Sequence, residues 1–126
     1  MRTFKFRAWD IEARVMYFPE EIIFNKDKEL IYVSHHVTGH QDWDKVVLMQ
    51  FTGTHSFNPH NKEEKTEIWE DDIVETRDGK FRVVFLEEWG MFKLVRGDEI
   101  TDINMYDRSR RVIGNFWEDP ELLEKR

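Results

Sequence analysis

Residues 72–106, DIVETRDGKFRVVFLEEWGMFKLVRGDEITDINMY, decide how this chain folds. DIVET (72–76) and KFRVVFLEE (80–88) flank Arg77-Asp78-Gly79. Asp-Gly between two β-rich runs is a strong hairpin signal, because such turns need residues that tolerate positive φ. Gly90 then sends the chain back through MFKLVR (91–96), Gly97-Asp98 into EITDINMY (99–106), and DRSR (107–110) into RVIGNFW (111–117). Five strands with tight turns in about 50 residues predict a small meandering barrel or sheet pair.

Downstream, the chain reads VIGNFWEDPELLEKR (112–126). Asp119 before Pro120 fits an N-cap followed by proline at the first helical position. Glu121 and Glu124 suit the start of a short helix, and Lys125-Arg126 its end. A helix this short is unstable alone, so Leu122 and Leu123 must pack back onto the barrel mouth. The tail is expected to act as a plug.

Upstream, FKFRAW (4–9) alternates, with Phe4, Phe6 and Ala8 on one face and Lys5, Arg7 and Trp9 on the other. That period of two predicts a half-buried strand. RVMYF (14–18), EIIF (21–24), LIYVS (30–34) and KVVLMQF (45–51) are further strand candidates, rich in β-branched and aromatic residues. HHVTGHQDWD (35–44) reads as a loop. TGTHSFNPHNKEEKT (52–66) lacks apolar periodicity and holds Gly53 and Asn58-Pro59, so it is expected to be a long loop between two halves.

With 126 residues, a single domain is expected, large enough to bury about two-thirds of its unfolded surface. Ten Phe, five Trp and three Tyr supply a compact core from few positions. The absence of cysteine excludes disulfides, thiolate nucleophiles and Cys-based zinc sites. No stretch approaches the roughly 18 apolar residues of a membrane helix, and the start lacks the apolar segment of a secretion signal. A cytoplasmic location, in the host cell, and no membrane association are expected. The formal charge of −7 is uneven, with −1 over residues 1–61 and −6 over 62–126. Phosphate attraction dominates nonspecific nucleic-acid binding, so this balance argues against a general DNA or RNA binder.

Three segments together resemble the YopX family of phage and prophage proteins: FRAWDIEARVM (6–16), LMQFTG with EIWEDDIVE (48–53 and 67–75), and VIGNFWEDPELL (112–123). The resemblance implies a mainly β fold whose later part is an SH3-like barrel. It also implies a phage or prophage origin, self-association in some members, and no catalytic residues to carry over. Two departures stand out. Asp71-Asp72 occupies a position where the family usually reads Gly-Asp, and the stretch between Phe51 and Glu67 is longer than usual, carrying His55, Pro59 and His60. If the family glycine is left-handed, Asp is among the less costly replacements, which makes Asp71 and Asp72 candidate structural turn residues.

All five histidines, His35, His36, His40, His55 and His60, fall within 26 residues, with Asp42 and Asp44 nearby. A zinc or manganese site needs three or four ligands converging on the ion. Nothing in the spacing enforces that, so exposed polar loops, without metal or cofactor, are expected. Glu70, Asp71, Asp72 and Glu75 surround Trp69, but strand alternation spreads them over two faces, and acid–base catalysis needs convergence in a cleft. Serines lack a nucleophile-elbow context, and no phosphate-binding glycine motif occurs. Arg108, Arg110 and Arg111, with Lys93 and Arg96, could form a basic spot for nucleic acid, but a charged hairpin turn is the favoured reading and nucleic-acid contact the minority one. Trp9, on the polar face of its strand, and Trp89, beside Gly90, are the candidate interface residues, since exposed aromatics concentrate at protein contacts.

The expectation is therefore a mainly β, antiparallel chain. Residues 1–51 form an N-terminal β segment, 52–66 a loop, and 67–126 an SH3-like barrel with a short C-terminal helix. It is expected to be non-enzymatic, working as a homo-oligomer or by binding a host or phage protein.

Overall fold

The computed structural model describes residues 4–58, 61–106 and 109–124. The chain divides into two compact units, Met1–Gln50 and Phe51–Arg126. The fold is mainly β, in antiparallel sheets.

The first unit holds β1 (Phe6–Asp10), β2 (Val15–Tyr17), β3 (Glu21–Phe24), β4 (Leu30–His35), β5 (Gly39–Asp42) and the start of β6 (Val46–Asn58). β1 lies between β2 and β6, pairing antiparallel with both, and β4 lies between β3 and β5. Ala8, Tyr17, Val33 and Val46 form the core, with Ile22, Leu30 and Leu48 packed against it. The segment 35–44 is not a plain loop. It contains β5 and leads into a 3-10 turn, Trp43–Lys45. Ladder hydrogen bonds come from the backbone, so a strand as polar as GHQD forms without an apolar signal.

Trp9 requires the main correction. It is only 4% exposed, and Arg7, Ala8 and Asp10 beside it are also buried. β1 is a central strand covered on both faces, so its alternation of residue type does not become an alternation of exposure. Trp9 offers no surface to a partner.

The turn after β1 is organised by Asp10. Its Oδ1 accepts from the backbone N–H groups of Glu12 (3.1 Å) and Ala13 (3.0 Å), and Oδ2 accepts from Gln41 Nε2 at 2.8 Å. Tyr17 donates its hydroxyl to Gln41 Oε1, tying β2 into the same network. The Ala13 N–H above all, then Gln41 and the Glu12 N–H, hold the Asp10 carboxyl below its ordinary pKa, against the opposing effect of burial.

The second unit continues β6 and adds β7 (Asn61–Trp69), β8 (Asp72–Thr76), β9 (Gly79–Leu86), β10 (Met91–Arg96), β11 (Glu99–Thr101) and β12 (Arg111–Asn115). The segment 52–66, expected to be a loop, is largely strand: β6 runs to Asn58 and pairs antiparallel with β7. Pro59 and His60 lie outside the described residues. The register shifts between Phe51 and His55 and again between Phe57 and Asn58, and such irregular pairing of polar strands has no apolar period to read.

β8 to β12 form one five-stranded sheet in the order β11-β10-β9-β8-β12. The last strand returns beside the first, giving a half-barrel rather than a closed one. β9 starts at Gly79, so Arg77 and Asp78 alone form the first turn, and EITDINMY splits into β11 and a 3-10 turn, Ile103–Tyr106. Ile68, Val74, Phe81, Val83, Leu94, Ile103 and Tyr106 make the core, joined by Phe92 and Val112.

The C-terminal helix is a single 3-10 turn, Pro120–Leu123. Pro120 takes its first position, but Asp119 makes no side-chain cap, and its Oδ2 instead accepts from the Asn115 N–H at 3.4 Å. The turn packs on β9. Lys125 and Arg126 lie outside the described residues. A Cβ added to Gly114 would sit 2.6 Å from Asp119 Oδ2 and 2.9 Å from Leu122 Cδ1. Glycine is what lets the tail return so closely.

Candidate functional site

Among the described residues, three places carry unusual side-chain arrangements. The first is the far end of the β9–β10 hairpin, where Met91 pairs with Leu86 and Phe92 with Phe85. The inner face here runs out of core: Phe85 is exposed, and its ring meets Phe92 edge-on at 5.0 Å. In the turn itself Trp89 is 53% exposed, next to exposed Glu87, Glu88 and Met91. Lys93 Nζ lies 5.2 Å from the centre of the Trp89 ring while also pairing with Asp102. A cation beneath an indole holds its orientation without covering its outer face. Of the two candidate interface tryptophans, Trp89 is the one open to solvent.

The second is Asp71, in the turn from β7 to β8. Its φ is 69°, the left-handed region, which a carboxylate residue tolerates better than most. Its backbone donates to Val83 O at 2.8 Å and accepts from the Phe116 N–H at 2.8 Å. Its carboxylate accepts from Arg82 Nε (3.1 Å) and from the Trp117 indole (2.9 Å), while the Arg82 guanidinium lies 3.7 Å above the centre of the Phe116 ring. Asp72 Oδ2 accepts from the Trp69 N–H at 2.8 Å, and Glu75 pairs with Arg111. The acids around Trp69 therefore build the turn and its neighbours and do not converge on a cleft.

Asn115 completes that arrangement. Its Oδ1 accepts from the N–H groups of Trp117 (3.0 Å) and Glu118 (2.9 Å) and its Nδ2 donates to Glu118 Oε1 at 2.6 Å. The two later segments that carry the family resemblance thus meet in space, through Asp71, Phe116 and Trp117. The separate motif FRAWD contributes Asp10, whose bonds are structural.

The third place was not legible from spacing. The Glu20 N–H donates to Ser34 O at 2.8 Å, extending the β3–β4 ladder by one residue. This sets the Glu20 carboxylate beside His35 and His36. Oε1 accepts from the His36 N–H at 2.8 Å, contacts His36 Nδ1, and lies 3.6 Å from His35 Nε2. The His36 N–H above all holds the Glu20 carboxyl below its ordinary pKa. The two imidazoles stack with centres 4.4 Å apart, and Tyr17 meets His35 edge-on at 5.9 Å. Oxygen and nitrogen donors from all three residues lie within 4.8 Å of one another. No signal in the sequence paired Glu20 with the histidines, because the pairing depends on strand register.

The other described histidines, His40 and His55, do not join them. His40 pairs with Asp42 (2.9 Å) and packs on Tyr32, and His55 packs edge-on against Phe51. His60 and Arg108 lie outside the described residues. The remaining members of the suspected basic spot are engaged. Arg110 is buried, donating to His55 O (2.9 Å) and Ile103 O (3.0 Å). Arg111 pairs with Glu75, Arg96 with Glu99 and Lys93 with Asp102.

Among the described residues no helix is long and apolar enough to cross a membrane. No curated protein matches the chain. Among solved structures, it is similar to one titled "Crystal structure of protein EF1440 from Enterococcus faecalis", with a TM-score of 0.68 and 24% identity. The match covers 98% of this chain and 99% of that one, a likeness of fold over the full length. The family model described as YopX protein matches residues 5–124. The chain belongs to the YopX family.

Proposed function

We propose that this YopX-family chain is a non-enzymatic protein-binding module of phage or prophage origin, acting in the cytoplasm through the end of its β9–β10 hairpin. The observation that carries this reading is Trp89, exposed directly after Glu87 and Glu88 in a hairpin whose Phe85 and Met91 are exposed as well. Tryptophan is the residue most enriched among those that dominate binding energy. Its apolar neighbours supply desolvated area, and Glu87 and Glu88 supply an acidic rim that favours a partner with basic residues around an apolar centre. A host or phage protein of that character is the leading partner. A second copy of the chain is the alternative, opposed by like charge, because residues 62–126 carry −6.

The experiment is light scattering of the wild type and of Trp89→Ala over a range of concentrations, paired with recovery of partners from host lysate by both. Either concentration-dependent assembly or a recovered partner, lost in Trp89→Ala, supports the reading. A monomer at every concentration that recovers nothing, or recovers the same proteins without Trp89, refutes it.

A further inference from the structure

We propose that Glu20, His35 and His36 form a binding site for a zinc-like divalent transition-metal ion. Two imidazoles and one carboxylate are a donor set that suits such ions and leaves a fourth position for water. Hard cations such as Mg²⁺ and Ca²⁺ prefer all-oxygen shells with more ligands.

Adjacent residues in a strand point to opposite faces, so neighbouring histidines rarely cooperate. Here His35 is the last residue of β4 and His36 opens the following turn, and this change of backbone brings their rings together at 4.4 Å. The carboxylate is positioned from two sides, by its own backbone bond to Ser34 O and by the His36 N–H on Oε1. His35 is only 21% exposed at its side chain and rests against Tyr17, whereas His36 is 73% exposed. One ligand is therefore fixed and one is free to adjust.

Adjustment is required. Tetrahedral ligands at about 2.0–2.1 Å from an ion stand about 3.4 Å from each other, whereas the donor atoms here spread up to 4.8 Å. Closing the widest of these gaps takes a movement of about 1.4 Å, which exposed His36 can make. His35 Nδ1 accepts from the Val37 N–H at 3.1 Å, which leaves the ring proton of neutral His35 on Nε2. Coordination through Nε2 moves that proton to Nδ1, and the Val37 amide, in an exposed turn, turns to water. These changes weaken the site without obstructing it.

The test is calorimetric titration of the chelator-stripped full chain with Zn²⁺. One ion per chain is expected, with no comparable heat from Mg²⁺ or Ca²⁺. Glu20→Gln and His36→Ala should each weaken binding by about 10-fold or more, while His40→Ala leaves it unchanged. His36→Ala is the decisive variant, because an exposed side chain is replaced and folding is undisturbed, as circular dichroism would verify. Absence of zinc binding by the wild type, or equal binding by wild type and His36→Ala, overturns the site. Trp89→Ala should bind zinc as the wild type does, so this result stands or falls independently of the hairpin interface.

Discussion

The indole Nε1 of Trp117 donates to Asp71 Oδ2 at 2.9 Å, joining residues 46 positions apart in the chain. The same carboxylate meets Arg82, on β9. One acidic side chain thereby ties the turn before β8, the second strand of the half-barrel and the segment after its last strand.

Asp71 should be among the most sensitive positions. Asp71→Ala removes both carboxylate bonds while keeping a side chain at positive φ, and should cost about 2–4 kcal/mol. Asp71→Gly loses the same bonds but relaxes the backbone, so it should be milder by about 1 kcal/mol. Urea unfolding of the two variants measures the difference, and equal midpoints would show that the left-handed backbone is not a cost.

Gly114→Ala should destabilise the second unit by about 1–3 kcal/mol, the range for overpacking a close contact. The added methyl meets Asp119 and Leu122, so the loss should appear as earlier exposure of Trp117 fluorescence and faster proteolysis near residue 119 than in the wild type.

The two adjacent arginines of β12 and its approach should behave oppositely. Arg110→Ala leaves two carbonyls and Asn104 without their donor, at a cost of about 2–4 kcal/mol. Arg111→Ala breaks an exposed pair with Glu75, worth at most about 1 kcal/mol. Thermal melting of both variants checks the contrast.

Asp10 gives a pH signature. Its carboxyl titrates lower in the folded chain than in the unfolded one, so its contribution to stability is complete above the ordinary value of about 3.9. That contribution is lost as pH falls through the folded value. Asp10→Ala, which removes the bonds to Glu12, Ala13 and Gln41, should cost about 1–2 kcal/mol at neutral pH. The gap between wild type and variant should narrow below about pH 4, as urea titrations at several pH values would show.

The sequence exposed most of the strands because β-branched and aromatic runs bounded by turn residues mark them: EIIF is β3 residue for residue, and Arg77-Asp78 separates β8 from β9. It hid the strands whose side chains stay polar, such as GHQD and the charged β7, since a backbone ladder leaves no apolar imprint. Trp9 misled for the opposite reason, being held in a strand buried on both sides. Trp89 was legible because a turn exposes whatever it carries. Glu20 was not, since its place beside His35 and His36 follows from the β3–β4 register, which fixes neighbours 15 and 16 residues away.

The bond from Trp117 to Asp71 has a consequence for synthesis on the ribosome. β8 emerges well before β12, so one edge of β8 and the Asp71 carboxylate wait for the residues from 111 to 117. At about 5–20 residues per second the interval lasts seconds, long enough for a chaperone or protease to engage the exposed edge. A nascent chain stalled before Arg111 would keep that vulnerability permanently, marking it for removal by quality control.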